Sequence, residues 1–320
     1  MSFRSRVVSL LRRTGLEPSA RRALAMPRRF STGISSLATS RVEAWNSRVD
    51  AVRRFPEQRR TFRAYRKLVA QSVPFELLSG KKDNGTIAVI VCLWNRPERI
   101  TEVLRILDSQ HDAPRIRLVL WNNQPRDSHH YRRAISGFAT SGSLSSIEYY
   151  DSPHNIGGIG RFLAARELVS RGYSGAFLMM DDDQDFGQTF VSDLLAVSAP
   201  HAVAGVWAWT NSGAYWNRKQ VESTGAHANH IGTGGSVCDS SIVTDPKFFV
   251  AIPPPYLFME DMWMSHYASR NGWSLIMVKS PFSFVLSDRD QGHALFDRKE
   301  LFFRWLAKPG HVPARPVSLG

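Results

Sequence analysis

Three consecutive carboxylates, Asp181-Asp182-Asp183, follow directly on the apolar run Ala176 to Met180. Side chains this close repel, and two unit charges ~5 Å apart at an effective dielectric of ~20 cost roughly 3 kcal/mol per pair. A bound divalent cation offsets that repulsion. Asp181 and Asp183 share one side of an extended backbone, so both can reach one hard cation through oxygen. The competing reading is an acidic strand-to-loop turn, where Asp is a common residue.

Other stretches carry chemistry too. In Asn155-Ile156-Gly157-Gly158-Ile159-Gly160-Arg161 the glycines let backbone approach a ligand closely. N–H groups at a following helix start can face an anion, and Arg161 can pair with a phosphate. This is not a Walker A loop, because no Gly-Lys-Ser/Thr follows, and it fails the dinucleotide spacing, which runs on to Leu163. A tight turn is the plain alternative; the nearby Asp triplet favours the lining of a binding site. Glu260-Asp261 follows the break Pro253-Pro254-Pro255, at what reads as a helix start, where carboxylates are also ordinary dipole partners. Gly232-Thr233-Gly234-Gly235-Ser236 is a second glycine-bearing loop or a flexible hairpin, and Ser287 to His293 reads as a polar loop.

Strand and helix patterns position these residues. Thr86 to Trp94 is a β-branched run fit for a central parallel strand, followed by a turn at Asn95-Arg96-Pro97 and a helix through Ile100, Val103, Leu104 and Leu107. Ile116 to Trp121 and Ile147 to Tyr150 are further strands, with a weak helix around Tyr131 to Phe138 between them. Gly157 to Ser170 is helical, and the apolar run from Gly175 is a strand buried on both faces. The alternation is that of a doubly wound sheet, which places ligands at the carboxyl ends of its strands. A strand at 207–209 and a C-terminal helix over 294–307 complete the reading.

The chain has 320 residues and a net charge of +13, with 43% hydrophobic and 11% aromatic residues, enough for a sizeable core. The charge is uneven. Residues 1–82 hold 19 Lys/Arg and 5 Asp/Glu, a net +14, which leaves about −1 for residues 83–320. That weakens a nucleic-acid reading of the main domain. Phe3 to Arg13, Val42 to Phe55 and Thr61 to Val73 read as basic amphipathic helices, with a Ser/Thr/Gly-rich loop from Pro27 to Ser40. Their charged faces suit anionic lipid headgroups or plain solvent. Met1 to Gly33 is Arg- and Ser-rich with one acid, Glu17, a composition shared by transit peptides and surface anchors. No apolar stretch reaches the ~18–20 residues that span a bilayer. Cys92 and Cys238 form no CxxC or zinc pattern and read as buried free thiols, which suits a reducing compartment. The expected division is 1–82 as a basic helical extension, 83–310 as the main domain and 311–320 as a tail, with Gly80 to Gly85 as linker.

Four segments in order resemble the family 2-like glycosyltransferases: IAVIVCLWNRPERITEVLRIL, HNIGGIGRFLAARE, FLMMDDDQDF and PPYLFMEDMWMSHYASRNGW. The resemblance covers about residues 86–280 and comes nearest in flavour to bacterial galactofuranosyltransferase-type enzymes. It implies the GT-A fold, a mostly parallel mixed sheet flanked by helices. It implies Mn²⁺ or Mg²⁺ on Asp181 and Asp183, with His293 as a third ligand and His266 behind it. It implies Asp182 near the ribose or sugar, and a donor site lined by Trp94, Asn95, Arg96, Asn122, Asn155, Gly157, Gly158 and Arg161. Many relatives carry Asp where Asn122-Asn123 stands, so no base is assigned. Asp261 becomes the general base, with Glu260 orienting it or the acceptor, and burial is expected to raise the base's pKa toward neutrality. Trp207, Trp209, Tyr215 and Trp216 could stack on sugar rings, with core packing the favoured reading for each.

The function this implies is a metal-dependent inverting transferase moving a sugar from a nucleoside-diphosphate donor to a hydroxyl of a glycan or lipid-linked acceptor. An anionic membrane surface is a further expected partner through residues 1–82, no specific nucleic acid is expected, and the expected location is the cytoplasm or the inner face of a membrane. Two alternatives stand: a nucleotidyltransferase-like enzyme, and a non-catalytic basic protein that binds membrane or nucleic acid through residues 1–82.

Overall fold

The computed structural model describes residues 57–83, 85–285 and 295–308. The expected helices at Phe3–Arg13 and Val42–Phe55, the loop at Pro27–Ser40, the polar segment with His293 and the tail lie outside the described residues. The chain divides into two compact units, Met1–Glu57 and Gln58–Gly320, and the second is described below.

Its centre is an eight-stranded mixed sheet. In chain order the strands are β1 (Glu76–Gly80), β2 (Ile87–Leu93), β3 (Ile116–Asn122), β4 (Leu144–Asp151), β5 (Ala176–Asp181), β7 (Ala202–Gly205), β11 (Ser236–Asp239) and β12 (Ser274–Met277). Their spatial order is β1-β4-β3-β2-β5-β11-β7-β12. The run β4-β3-β2-β5 is parallel, β11 is wedged antiparallel between β5 and β7, and β12 rejoins β7 in parallel.

Every residue of β2 is buried, as its β-branched run requires of a central parallel strand. The two-residue period of the strand divides it between two cores. Ala88, Ile90 and Cys92 join one, and Ile87, Val89, Val91 and Leu93 join the other. β5 divides likewise, with Phe177 and Met179 on the first face and Leu178 and Met180 on the second.

A helix over residues 57–69 (α1) packs Tyr65 and Leu68 into the first core, and the Tyr65 hydroxyl donates to the Phe249 carbonyl at 2.7 Å. The same face is covered by α4 (Gly160–Ser170) through Phe162, Leu163 and Leu168, and by α6 (Glu260–Arg270) through Trp263 and Tyr267. On the opposite face lie α2 (Ile100–Asp108), α3 (Ser128–Ser136) and α5 (Phe190–Ala196). The result is a three-layer α/β fold with its strand carboxyl ends on one rim.

Over that rim sit a three-stranded sheet, β10-β8-β9, and a two-stranded one, β13-β6. Their members are β6 (Gln184–Phe186), β8 (Ala208–Asn211), β9 (Arg218–Gln220), β10 (His230–Ile231) and β13 (Phe282–Phe284). Helix α7 (Phe296–Leu306) buries Phe302 and Leu306 in the first core. Cys92 and Cys238 are free, buried thiols.

Candidate active site

β2 and β5 run parallel with Cys92 opposite Asp181, so the residues after each strand emerge side by side. β5 ends at Asp181, and Asp182-Asp183 form a turn into β6. This corrects the extended-backbone expectation: a turn, not strand alternation, brings Asp181 and Asp183 to one cavity. Asp182 is buried. Its Oδ2 accepts from the Trp94 amide at 3.0 Å, and Arg96 Nη1 lies 3.5 Å from its Oδ1 and 3.3 Å from Asp183 Oδ2. Burial pushes Asp182 up to about 7, against the Trp94 hydrogen bond and the Arg96 charge, with Asp183 and Asp181 adding repulsion.

The glycine-rich segment forms one tight turn, Gly157–Ile159, and then α4. Protein side chains occupy the space its glycines leave. A Cβ on Gly158 would lie 1.7 Å from Glu260 Oε1, so the carboxylate reaches this backbone only because the residue is glycine. Arg161, in the first turn of α4, is buried. Its Nε donates to the Gly158 carbonyl at 3.1 Å, its Nη2 donates to Asp181 Oδ1 at 2.7 Å, and Glu260 Oε1 lies 4.0 Å away. The expected partner of Arg161 was a phosphate; here it is the first Asp of the triplet. Its Nη1 is buried with no hydrogen-bond partner.

These groups line a cavity of about 540 Å³, with Trp94, Asn155, Gly157, Gly158, Arg161, Asp181, Asp182 and Asp183 in its wall, as expected. Three expected donor residues lie off that wall. Asn122 turns inward, and its Nδ2 donates to the Gln124 carbonyl, the Tyr149 hydroxyl and Asp151 Oδ1. Asn123 takes the cavity position instead, because successive strand residues face opposite sides. Asn95 has φ +56 and its Oδ1 accepts from Arg126, while Arg96 is held behind the wall by Asp182 and Asp183.

A second cavity of about 360 Å³ adjoins the first, and Asp181, Phe258, Glu260, Phe284, Leu295 and Lys299 line both. Asp261 lines only the second. There its Oδ2 lies 3.4 Å from His230 Nε2. Burial alone would raise Asp261, but His230, by hydrogen bond and charge, and Lys299 hold it well below the usual carboxylate range. The carboxyl that burial raises is Glu260, pushed up to about 7 against Arg161, with the charges of Asp261 and Asp181 adding to the rise. The expected shift thus falls on Asp261's neighbour. The Thr233 hydroxyl donates to Glu260 Oε1 at 3.2 Å, which brings the second glycine-bearing loop to the seam.

The aromatics divide. Tyr215 is buried, while Trp207 and Trp209 stack at 6.0 Å in the second cavity's wall. Arg218 lies 4.3 Å over Trp209 and 4.8 Å over Tyr215. Trp216 is exposed, outside the core that was favoured for it. His266 lines neither cavity, and burial with Arg270 holds it down at about 4. His230, Arg218, Lys299 and Phe258 carry no local sequence signal; His230 and Lys299 meet Asp261, and Arg218 meets Trp209 and Tyr215, only after folding.

The site fits a hard divalent cation. The donors it would offer are carboxylate oxygens of Asp181 and Asp183, which line one cavity. Close by, Gln184 Oε1 is buried with no hydrogen-bond donor. A Cβ on Gly234 would lie 2.2 Å from Asp181 Oδ2 and 2.8 Å from Gln184 Oε1, so glycine leaves room beside two acceptor oxygens. Among the described residues no group of three His, Cys, Asp or Glu is arranged to hold a metal ion. Mg²⁺ ordinarily takes one or two carboxylates and completes its shell with water and substrate phosphates, so two suffice.

No protein-family model matches the chain, and no curated protein does. Solved structures do. The mannosyltransferase PcManGT from Pyrobaculum calidifontis, in complex with GDP-Man and Mn²⁺, is similar over 79% of this chain and 72% of that one, at 11% identity and a TM-score of 0.50. The fold is of the GT-A type. S. aureus TarS 1-349 is similar over 64% of this chain and 58% of that one, at 18% identity and a TM-score of 0.41. The inositol-1-phosphate CTP transferase from T. maritima covers 68% of this chain and 96% of its own, at 10% identity and a TM-score of 0.40.

Proposed function

We propose that this protein is an inverting glycosyltransferase that moves a sugar from a nucleoside diphosphate to a hydroxyl of a glycan or lipid-linked acceptor. The observation that supports this is the seam between the two cavities at Asp181 and Glu260, with Asp261 on the far side of it. The first cavity takes the donor, with its diphosphate toward Asp181, Asp183 and Lys299. The second takes the acceptor, with Trp207 and Trp209 as an apolar wall for sugar rings. A hydroxyl entering there attacks the sugar face opposite the nucleotide, which inverts the anomeric centre. When bound at Asp181 and Asp183, Mn²⁺ or Mg²⁺ would neutralise charge on the departing diphosphate.

Its position supports Asp261 as the base. It faces the acceptor cavity, ionised and paired with His230, while Glu260 is turned to Gly158, Arg161 and Thr233. A second reading exchanges the two, because Glu260 lines both cavities and its pKa of about 7 suits proton transfer at neutral pH. A nucleotidyltransferase needs more cations around a triphosphate than Arg161 and Lys299, the Lys and Arg of the first cavity. Contact with an anionic membrane through residues 1–82 belongs to the same proposal. Among the described residues no helix is long and apolar enough to cross a membrane.

A thermal-shift screen of nucleoside diphosphates and their sugars, with and without Mn²⁺, tests the reading. A donor stabilises the fold in proportion to the logarithm of its concentration over Kd. A Mn²⁺-dependent rise with at least one nucleotide sugar is expected; no rise with any of them removes the donor site.

A further inference from the structure

A third cavity, of about 410 Å³, lies away from the seam, between α1 and the end of β4. Its floor is apolar: Ala64, Leu68 and Tyr150. Its rim is basic: Arg60, Arg63, Lys67 and His154. The Tyr150 hydroxyl and the Gln71 amide supply its other hydrogen-bonding side-chain atoms, and no carboxylate lines the cavity.

Arg60, Arg63 and Lys67 stand three and four residues apart, on one face of α1. Like charges at that spacing destabilise a helix. Among the described residues these three cations have no ion pair. Elsewhere in this domain Arg96, Arg99, Arg117, Arg132, Arg161 and Arg171 each meet a carboxylate, while Arg115 and Arg166 donate to carbonyls and Arg218 lies over an aromatic ring. The helix is also not free to turn its cations elsewhere. Tyr65 is tied to the Phe249 carbonyl, and Arg166 Nη1 and Nη2 cap the helix end at the Val69 and Leu68 carbonyls. A fixed rim of cations over an apolar floor therefore holds uncompensated positive charge.

We propose that this cavity binds a phosphate-bearing anion, with Arg60, Arg63 and Lys67 on the phosphate oxygens, His154 closing the far side and the apolar floor under the rest of the molecule. Guanidinium forks on one helix face suit phosphate oxygens by geometry as well as charge. The site is separate from the proposed transfer chemistry and does not rest on it. A chain of side-chain contacts links it to the donor cavity. Tyr150 packs on Trp121 at 4.9 Å, Trp121 Nε1 donates to Asn123 Oδ1, and Asn123 lines the donor cavity.

The test uses the full chain and the triple variant Arg60→Gln/Arg63→Gln/Lys67→Gln, whose exposed side chains can change without disturbing the core. Inorganic phosphate and glycerol 3-phosphate are titrated by thermal shift against chloride at equal ionic strength. Sedimentation with phosphatidylcholine vesicles, with and without phosphatidic acid, forms the second arm. At least one response is expected to weaken about tenfold or more in the variant, as loss of several charge-assisted hydrogen bonds requires. Loss in the soluble arm alone assigns a free phosphate ester, and loss in the vesicle arm alone assigns a lipid headgroup. Residues 1–56 keep their charge in the variant, so vesicle binding that survives belongs to them. Responses equal in the two proteins, or absent from both, overturn the proposal. His154→Ala gives a second check, with weakening in the same arm.

Discussion

Arg161 Nη2 donates to Asp181 Oδ1 at 2.7 Å, so the carboxylate that ends β5 has a cationic partner built into the fold. A divalent cation on Asp181 would share it with a buried guanidinium. Replacing Arg161 by Met leaves Asp181 and Glu260 facing each other without that charge. Breaking a buried pair costs ~3–5 kcal/mol, and the 35% exposure of the Asp181 side chain lowers the expected loss to about 2 kcal/mol. In denaturant titrations the variant should lose that much without metal. It should also gain more than the wild type from Mn²⁺, which takes over the missing charge. An equal Mn²⁺ effect on both proteins would show that Arg161 and the cation do not meet at Asp181.

The closeness of Gly158 to Glu260 gives a steric prediction. An Ala at 158 puts its Cβ 1.7 Å from Oε1, and the carboxylate must move. Misplacing a catalytic group by about 1 Å can cost about 100-fold in rate. Gly158→Ala should therefore lower kcat by about that factor while donor affinity changes little. Gly137→Ala is the control, because there the nearest atom would be 3.5 Å from the new Cβ. Comparable rates for wild type and Gly158→Ala would remove Glu260 from the reaction.

The parts that were legible in sequence are those whose signal is local. β2 and β5 are buried on both faces and read as continuous apolar runs. The Asp triplet, weighed as an acidic turn or a metal site, forms the turn after β5 and lines the first cavity. β1 was hidden because Glu76–Gly80 is an edge strand with no buried residue, held by pairing to β4 rather than by its own pattern. β11 was hidden for a related reason: Ser236–Asp239 has two apolar residues, and β5 and β7 recruit it. The His230–Asp261 pair is non-local. Ile231 N donates to Ser265 Oγ, which donates back to the Ile231 carbonyl, and those bonds set β10 against α6.

Glu260 also makes stability depend on pH. Its folded pKa, about 7, lies above the ordinary carboxylate value, so the folded state holds the proton more tightly. The stabilisation is complete below the ordinary pKa and is lost as pH rises toward 7. Asp182 acts in the same direction, and His266, held down at about 4, acts in the opposite one below neutrality. The contribution of Glu260 is isolated by difference. Glu260→Gln should gain stability relative to wild type as pH goes from 5 to 8, in denaturant midpoints measured across that range. A difference that stays constant with pH would mean that the buried carboxyl does not titrate there.

The same pKa values separate the two candidate bases. Asp261 is held well below the usual carboxylate range, so as the base it is ionised at every working pH. The acid limb of kcat/KM then falls to other groups, and Asp261→Asn should remove turnover by about 1,000-fold or more while leaving the donor-induced thermal shift intact. Glu260→Gln would in that case reduce kcat less and keep the shape of the profile. If Glu260 is the base, the wild-type profile loses activity below about pH 7, and Glu260→Gln abolishes that limb along with turnover. His230→Ala adds a third reading. Without its imidazole, Asp261 moves up toward the ordinary range, which draws an acid limb into view only if Asp261 carries the proton. A profile unchanged by His230→Ala, together with full activity in Asp261→Asn, would transfer the base to Glu260.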